Sequence, residues 1–258
     1  MSNCNFAFMI KTISKEFKVY QGALDDFILN YDSKGKPFGS QKRNSLRLFQ
    51  LNDYIVNIKS FKIPNLINQI VYSFFRKSKA QRSFEFAHKL LSLDIGTPKP
   101  IAFYEFKSFL LFKKSYYLSE HLECDFTFRD LKHLSKGEYE DILRAFTRFT
   151  YRLHEKQVLF LDHSPGNTLI KKKGDHYDFF LVDLNRMVFK PLNLETRIKN
   201  FSRLTTNSSM IEIMSDEYAK CIGEDYQKVN TLMQECVNKF QNSHLKKQRL
   251  KKKLKFWK

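Results

Sequence analysis

The sequence predicts an α+β fold in which antiparallel strands dominate the first half of the chain and helices dominate the second. Residues 45–51 and 54–61 are alternating apolar runs around Asn52-Asp53, a pattern typical of a β-hairpin. Residues 136–156 carry apolar side chains at helical spacing in a single stripe. Residues 158–189, in the second half, alternate short apolar runs with turns and isolated acidic side chains, which indicates a functional segment.

Length and composition indicate a folded enzyme-sized chain. The 258 residues are 42% hydrophobic and include 26 phenylalanines, enough for one large domain or two small lobes. The four cysteines are scattered with no C-x-x-C pair, which argues against a zinc site or a disulfide framework and favours a reducing cytoplasm. We find no signal-peptide pattern and no apolar run near the ~18 residues of a membrane span. A cytoplasmic location is therefore expected.

The first half predicts a five-stranded antiparallel sheet with one main helix. The helix is expected over residues 79–93, and Gly96 and Pro98, which follow it, mark its end. An added apolar turn or helix is expected over residues 63–76. The segments predicted to form strands are residues 15–20, 27–31, 45–51, 54–61, 101–106, 109–112 and 116–118.

The second half predicts a smaller, mainly helical lobe. After the helix at residues 136–156, short apolar runs at 168–170 and 179–182 flank a polar turn and predict a hairpin. Two further helices are expected, near residues 209–221 and 225–240. His154 lies at the end of the helix at residues 136–156, and we expect a structural role for it there.

Three side chains in residues 158–189 have the chemistry that phosphoryl transfer needs. Asp162 and Asn167 form D-x-x-x-x-N, and Asp183 follows sixteen residues later at the end of the apolar run FFLVD. One carboxylate can orient an attacking hydroxyl, while an amide oxygen and a second carboxylate can hold Mg²⁺ against phosphates. Pro165-Gly166 predicts a turn that brings Asn167 back beside Asp162. Each residue alone is also compatible with a turn cap or a solvated strand end, but the spacing of all three favours the catalytic interpretation.

The order of these motifs resembles the H-R-D-x-x-x-x-N and D-F-G loops of the protein kinase-like superfamily. The wording FLDHSPGNTLI with LVDLNRM is most similar to the bacterial lipopolysaccharide kinases (Kdo/WaaP-like). Phe160-Leu161 stand where H-R would be, and Leu184-Asn185 where F-G would be. The resemblance implies a bilobal protein kinase-like fold that binds ATP and Mg²⁺, with Asp162 as the catalytic residue and Asn167 and Asp183 as metal ligands.

The same resemblance implies nucleotide-binding positions in the first half. Lys59 ends YIVNIK, which resembles the V-A-I-K strand whose lysine reaches the α and β phosphates, and Glu85 on the next helix is the expected partner of that lysine. Arg43 lies in the polar segment expected to face the phosphates, for which an ordinary solvated turn is the alternative. Glu120 and Leu122 are placed by position at the hinge, where backbone groups would contact adenine.

The predicted organisation follows from these assignments. Residues 1–118 form the N-lobe, 119–122 the hinge, 123–243 the C-lobe and 244–258 a basic amphipathic tail. The net charge is +18, and eight lysines and arginines lie in the last fifteen positions without an acidic residue. Such a tail suits an anionic membrane surface; nucleic acid, judged an unlikely partner, and a solvated tail are the alternatives.

The sequence therefore predicts an ATP- and Mg²⁺-dependent phosphotransferase. By resemblance, the acceptor is a sugar hydroxyl of the lipopolysaccharide inner core, and the enzyme is cytoplasmic or peripheral on the inner face of the cytoplasmic membrane. A protein kinase of the RIO or tyrosine-directed type is the second interpretation. A pseudokinase scaffold is the third, permitted by the missing H-R and F-G residues. The acceptor and the oligomeric state stay open at the level of sequence.

Overall fold

The computed structural model describes residues 8–39, 44–74, 76–108 and 111–255. These residues fall into two compact units. The first comprises the described part of Met1–Glu123 together with Asp183–Asn185, and the second comprises Cys124–Val182 and the described part of Arg186–Lys258.

The first unit is built on a six-stranded, entirely antiparallel sheet with the strand order β1-β5-β6-β4-β3-β2. Its strands are β1 (Phe8–Ile13), β2 (Lys36–Phe38), β3 (Ser45–Leu51), β4 (Tyr54–Phe61), β5 (Pro100–Ser108) and β6 (Leu111–Glu120). A 3-10 helix at Lys15–Tyr20 leads into α1 (Gln21–Leu29), while α2 (Leu66–Phe74) and α3 (Lys79–Ser92) lie between β4 and β5.

The two faces of this sheet are covered by different helices. The larger core contains Leu24 and Ile28 of α1 against Val56 and Ile58 of β4. The opposite face packs Phe84 of α3 against Phe103 of β5, with ring centroids 5.5 Å apart. Lys59 alternates with Ile58 along β4, so it lies on the α3 face.

The second unit combines short strands with four helices. The strands are β7 (Phe126–Thr127), β8 (Val158–Phe160), β9 (Thr168–Lys173), β10 (His176–Leu181) and β11 (Met187–Phe189), and the helices are α4 (Lys136–Glu155), α5 (Leu194–Lys199), α6 (Ser208–Ile222) and α7 (Tyr226–Lys255). β9 and β10 form the predicted hairpin, and β8 pairs with β11. α4 begins at Ser135, whose hydroxyl and Glu138 form a capping box, and it packs against α6.

Several predictions about the elements are corrected. Residues 15–20 form a 3-10 helix and residues 27–31 lie in and just after α1, so neither is a strand. The sheet has six described strands instead of five: β3 to β6 overlap predicted strand segments, and the unpredicted β1 and short β2 lie at its two edges. Residues 101–118 contain one hairpin of two long strands, β5 and β6, where three strands were predicted.

Two predictions about the C-terminal half are also corrected. The helix expected near residues 225–240 is one continuous helix from Tyr226 to Lys255, which includes most of the predicted tail. α5 was not predicted. The helices expected at residues 79–93, 136–156 and 209–221 are present, and among the described residues no helix is both long and apolar enough to cross a membrane.

Candidate active site

The predicted catalytic aspartate lies directly after β8 in the second unit. Asp162 is about four-fifths buried, with 17% of its side chain exposed. Its Oδ1 accepts a hydrogen bond from Nη1 of Arg203 at 2.8 Å, and Nη1 of Arg186 lies 3.4 Å from the same oxygen. Arg203 also donates to the carbonyl of Leu161. The carboxylate is therefore held in one orientation by two guanidinium groups.

The turn predicted at Pro165-Gly166 is present and orients Asn167. The Asn167 amide N–H donates to Ser164 O at 2.9 Å, and the Asn167 carbonyl accepts from Val182 N–H at 3.0 Å. The side-chain nitrogen of Asn167 donates to the Asp162 carbonyl at 2.8 Å, so the amide oxygen Oδ1 is the acceptor that is left for a ligand. An amide oxygen is a suitable ligand for Mg²⁺.

Arg203 is positioned through the segment that follows α5. Asn200 donates from its side-chain nitrogen to the carbonyl of Phe160, the last residue of β8, at 2.8 Å. Phe201 is fully buried. The chain from Asn200 to Arg203 is thereby fixed against the strand that precedes Asp162.

His163, next to Asp162, is a core residue. Its side chain is fully buried among Phe146, Phe160 and Phe201, with ring centroids 5.3, 5.9 and 6.3 Å away. Neither ring nitrogen has a hydrogen-bond partner within the described residues. Burial lowers the pKa of His163 to about 3, so the ring is neutral at physiological pH. A neutral ring enclosed in this way packs in the core beneath the Asp162–Asn167 loop and is not exposed to a substrate.

His154 has the structural role expected for it. Its Nδ1 lies 2.8 Å from the hydroxyl of Tyr218 and its Nε2 lies 3.2 Å from Oδ1 of Asn200. Burial lowers its pKa to about 4. The histidine thus connects the end of α4 to α6 and to the segment that carries Arg203.

A cavity of about 430 Å³ lies beside the Asp162–Asn167 loop within the second unit, with Pro165 in its lining. Arg129, Lys132 and Arg203 give it a cationic wall, and its remaining lining is mostly hydroxyl, amide and apolar: Phe128, Pro165, Leu204, Thr205, Thr206, Asn207, Met210 and Gln241. Arg129 is tied to the loop, because its backbone N–H donates to Pro165 O and its guanidinium lies against Gly166. Such a wall can bind an anionic, hydroxyl-rich ligand.

The first unit contains the other half of the predicted residues. Nζ of Lys59 lies 2.7 Å from Oδ1 of Asp183, with 16% and 33% of the two side chains exposed. Asn185 donates to the same oxygen at 2.6 Å. Asp183 has φ +61°, a left-handed conformation that non-glycine residues rarely adopt and that is often found at functional sites.

The predicted pairing of Lys59 with Glu85 is corrected. Glu85 instead accepts two hydrogen bonds from Nζ of Lys77, both at 2.8 Å, and one from Gln81 at 3.0 Å. Lys77 lies just before α3 and Gln81 lies in its first turn, so both are closer along the chain to Glu85 than β4 is. Lys59 finds its carboxylate on Asp183 instead.

The structure describes two of the three remaining residues predicted to bind the nucleotide, Glu120 and Leu122. The Glu120 backbone N–H donates to Lys99 O at 2.9 Å, so it belongs to the sheet, and Leu122 follows the last strand of the unit. Arg43 lies outside the described residues. The roles assigned to Glu120, Leu122 and Arg43 therefore stay predictions.

The sequence model of the lipopolysaccharide kinase (Kdo/WaaP) family matches residues 40–228, nearly three quarters of the chain. The chain belongs to the lipopolysaccharide kinase (Kdo/WaaP) family. Members of this family are phosphotransferases, so the chain is a kinase by family. No curated protein matches the sequence.

The fold agrees with this family. Solved structures similar to the chain include WaaP in complex with acyl carrier protein, at a TM-score of 0.61 and 14% identity over 89% of this chain and 98% of that one. At this identity the likeness concerns the fold alone. It confirms the predicted α+β fold class with an antiparallel sheet and helices.

The lipopolysaccharide kinase motifs identified Asp162, Asn167, Asp183 and Lys59, but sequence reasoning missed the arginines around Asp162. Arg186 lies within the quoted LNRM segment and could have been noticed by its proximity to Asp183. Arg203 comes 41 residues after Asp162, and only the path of the chain through α5 brings it back. Nothing in the sequence pattern signals that return.

Proposed function

We propose that this lipopolysaccharide kinase transfers the γ-phosphoryl group of ATP to a sugar hydroxyl of the lipopolysaccharide inner core. The observation that carries the proposal is the Asp162 carboxylate, fixed by Arg203 and Arg186 beside a cationic, hydroxyl-lined cavity. In this role Asp162 accepts the hydrogen bond of the attacking hydroxyl and takes its proton as the new P–O bond forms. The leaving group is ADP.

Asn167 and Asp183 are the residues that we propose to hold Mg²⁺. Within the described residues no group of three or more His, Cys, Asp or Glu side chains is placed to bind a metal. The side-chain oxygen of Asn167 and the carboxylate of Asp183 are each of a type that suits this ion, since Mg²⁺ is commonly bound through one or two protein oxygens, substrate phosphates and water. When bound, the ion neutralises charge on the transferred phosphoryl group. Lys59 adds a positive charge for the phosphates of ATP.

We propose that the acceptor occupies the cavity lined by Arg129, Lys132 and Arg203. Inner-core sugars combine many hydroxyl groups with acidic groups, and the cavity offers matching threonine, asparagine and glutamine side chains next to three cations. Its position beside Pro165 and Arg203 supports delivery of a hydroxyl to Asp162.

A peripheral location on the cytoplasmic membrane accompanies this proposal. Residues 244–255 continue α7, with Leu245 and Leu250 exposed among lysines and arginines. Each such cation contributes about 1 kcal/mol near an anionic surface. The tail would then keep the enzyme near a lipid-linked acceptor.

The decisive experiment measures phosphate transfer to purified lipopolysaccharide and to protein in the same reaction. We expect Mg²⁺-ATP to label the glycolipid, and Asp162→Asn to lower the rate by about 10²- to 10⁴-fold, because the hydroxyl loses its proton acceptor. Asp175→Asn, in the exposed turn between β9 and β10, is the matched control and should keep full activity. Label found only on protein would favour the protein kinase interpretation. A thermal shift with ATP that does not respond to Mg²⁺, together with no transfer, would favour the scaffold.

A further inference from the structure

Helix α2 in the first unit has its aliphatic side exposed. The exposed fractions are 67% for Leu66, 75% for Ile67 and 47% for Ile70, and Ile63 just before the helix is 42% exposed. Positions 66, 67 and 70 fall within one 100° arc of a helical projection, and Ile63 lies in the segment just before the helix. They therefore form one continuous aliphatic surface, which we call the α2 face.

The side chains through which α2 packs on the protein include Gln69 and Tyr72, both of which carry polar groups. Gln69 is 8% exposed, and its side-chain nitrogen donates to Pro64 O at 3.0 Å, while its Oε1 has no partner within the described residues. Tyr72 packs on Phe112 with ring centroids 5.7 Å apart. An amphipathic helix of a soluble protein normally has the reverse arrangement. The aliphatic side is thus left for an external apolar phase.

The surroundings of the α2 face are cationic. Residues 54–84 contain six lysines and arginines and no acidic residue, and two of these cations, Lys59 and Lys77, are paired with Asp183 and Glu85. A cavity of about 390 Å³ beside α2 is lined by Lys62, Arg76 and Lys79, with Phe61 and Phe112 among its apolar side chains. An apolar surface next to a cationic, partly apolar cavity matches the acyl region and the phosphate headgroups of an anionic bilayer.

We propose that α2 is a second membrane-docking element, which lies in the interface of an anionic lipid bilayer with Leu66, Ile67 and Ile70 inserted and phosphates at Lys62, Arg76 and Lys79. A second copy of the chain fits poorly, because a self-complementary contact would place two cationic surfaces together. A protein partner is also disfavoured, because the exposed side is aliphatic, whereas the hot spots of protein interfaces are enriched in tryptophan, tyrosine and arginine. The inference goes beyond the phosphotransferase activity and does not depend on it.

The first test is partitioning of the full chain onto vesicles of phosphatidylcholine, alone or mixed with phosphatidylglycerol, without nucleotide or acceptor. We expect the triple variant Leu66→Ser/Ile67→Ser/Ile70→Ser to bind anionic vesicles at least about tenfold more weakly, since three aliphatic side chains that insert into the bilayer are removed. Val19→Ser/Leu29→Ser is the matched control, because these aliphatic side chains are 79% and 74% exposed elsewhere in the same unit. Thermal unfolding of both variants should match that of the unmodified protein.

A second readout separates α2 from the basic tail, which can bind vesicles independently. In a Trp257→Phe background, which removes the chain's single tryptophan, Ile67→Trp should shift its emission to the blue and be quenched by brominated lipids. Partitioning of the triple variant equal to that of the control, or an emission that stays water-like on vesicles, would overturn the proposal. So would a loss of self-association in the triple variant, measured by sedimentation without vesicles, because the face would then bind another copy.

Discussion

Asp183 combines an unfavourable left-handed backbone conformation with an ion pair to Lys59. Its left-handed backbone, at φ +61°, and its ion pair with Lys59 at 2.7 Å place a carboxylate where the chain ends an apolar run. The conformation costs on the order of 1 kcal/mol for a residue with a Cβ, so the surroundings must hold it in place. The hydrogen bond from Asn185 contributes to this. Lys59 is the other part of that support.

We expect Lys59→Met to weaken nucleotide binding and slow phosphate transfer while the protein stays folded. The methionine keeps the aliphatic stem but leaves Asp183 without its cation and removes the charge proposed for the phosphates. The measurement is the KM for ATP together with the thermal shift produced by Mg²⁺-ATP. Lys34→Met is the control, because Lys34 also forms a carboxylate pair, with Asp26 at 3.0 Å. An unchanged KM for ATP would show that Lys59 does not contact the nucleotide.

Two of the three cations that line the cavity, Arg203 and Lys132, should have separable effects. Arg203 donates to Asp162 directly, so Arg203→Gln should lower kcat by loosening the carboxylate. Lys132 lines the cavity, and it has no ion pair with Asp162. Lys132→Gln should therefore raise the KM for lipopolysaccharide several-fold with little change in kcat or in the KM for ATP.

Steady-state kinetics with varied acceptor and varied ATP measure both effects. Lys172→Gln, on the exposed side of β9, provides the comparison for a lost surface charge. A uniform fall in kcat for both Arg203→Gln and Lys132→Gln would mean that the cavity is not the acceptor site.

At the scale of elements, the structure shows where local pattern is sufficient and where it is not. The β3–β4 hairpin, the β9–β10 hairpin and α4 were predicted from alternation, turn residues and helical stripes, because their burial pattern is set within the element. Residues 15–20 alternate apolar and charged side chains but form a 3-10 helix, in which Phe17 is buried and Val19 is 79% exposed. The alternation there does not reflect two faces of a strand.

The added edge strands could not be predicted for a different reason. β1 is mostly exposed along its length and is held by backbone pairing with β5, from Phe8 opposite Lys107 to Ile13 opposite Ala102. Pairing between segments almost a hundred residues apart leaves no local sequence pattern. The same limit applies to Arg203, whose proximity to Asp162 depends on the packing of α5 and Phe201.

Two glycines with positive φ allow the cost of backbone strain to be measured separately from the cost of a steric clash with a neighbouring side chain. Gly35, before β2, has φ +78°, and a Cβ there would lie 2.6 Å from the ring of Phe49 in the core. Gly174, between β9 and β10, has φ +56° with nothing within 4 Å. Gly174→Ala should therefore cost only the conformational term, about 1 kcal/mol.

We expect Gly35→Ala to lower the free energy of unfolding by about 2 to 4 kcal/mol, since it adds displacement of a buried ring to the same conformational term. Urea denaturation of both alanine variants gives the comparison. Equal losses for the two would show that Phe49 moves aside without cost.

At the scale of the whole molecule, the distribution of charge and the buried histidines govern how the protein responds to solution conditions. Outside the last fifteen positions the formal charge is still +10, so repulsion among cations increases on acidification as carboxylates are neutralised. His154 and His163 add a specific acid sensitivity. Both are fully buried in the second unit, and burial lowers their pKa values to about 4 and about 3.

The sign of the pH dependence follows from these lowered pKa values. Between the pKa of an unfolded histidine, about 6.5, and the folded values, the unfolded chain binds more protons than the folded chain. Stability is therefore full above pH 6.5 and falls as the pH is lowered, by up to about 1.4 kcal/mol per pH unit for each histidine. His163→Phe should remove one of these two contributions, because the ring is surrounded by phenylalanines and makes no hydrogen bond within the described residues.

We expect His163→Phe to raise the free energy of unfolding by about 1 to 2 kcal/mol at pH 7, since two buried nitrogens without partners are removed. Its advantage over the unmodified protein should widen from pH 6.5 down to pH 4. His154→Phe should instead destabilise at pH 7, because the Tyr218 hydroxyl and the Asn200 side chain lose their partner. Denaturant titrations at a series of pH values, with the exposed His176→Gln as the control, give all three curves. A His163→Phe variant with the same pH slope as the unmodified protein would mean that His163 is charged or solvated in the folded state, and the buried support assigned to it beneath the catalytic loop would be wrong.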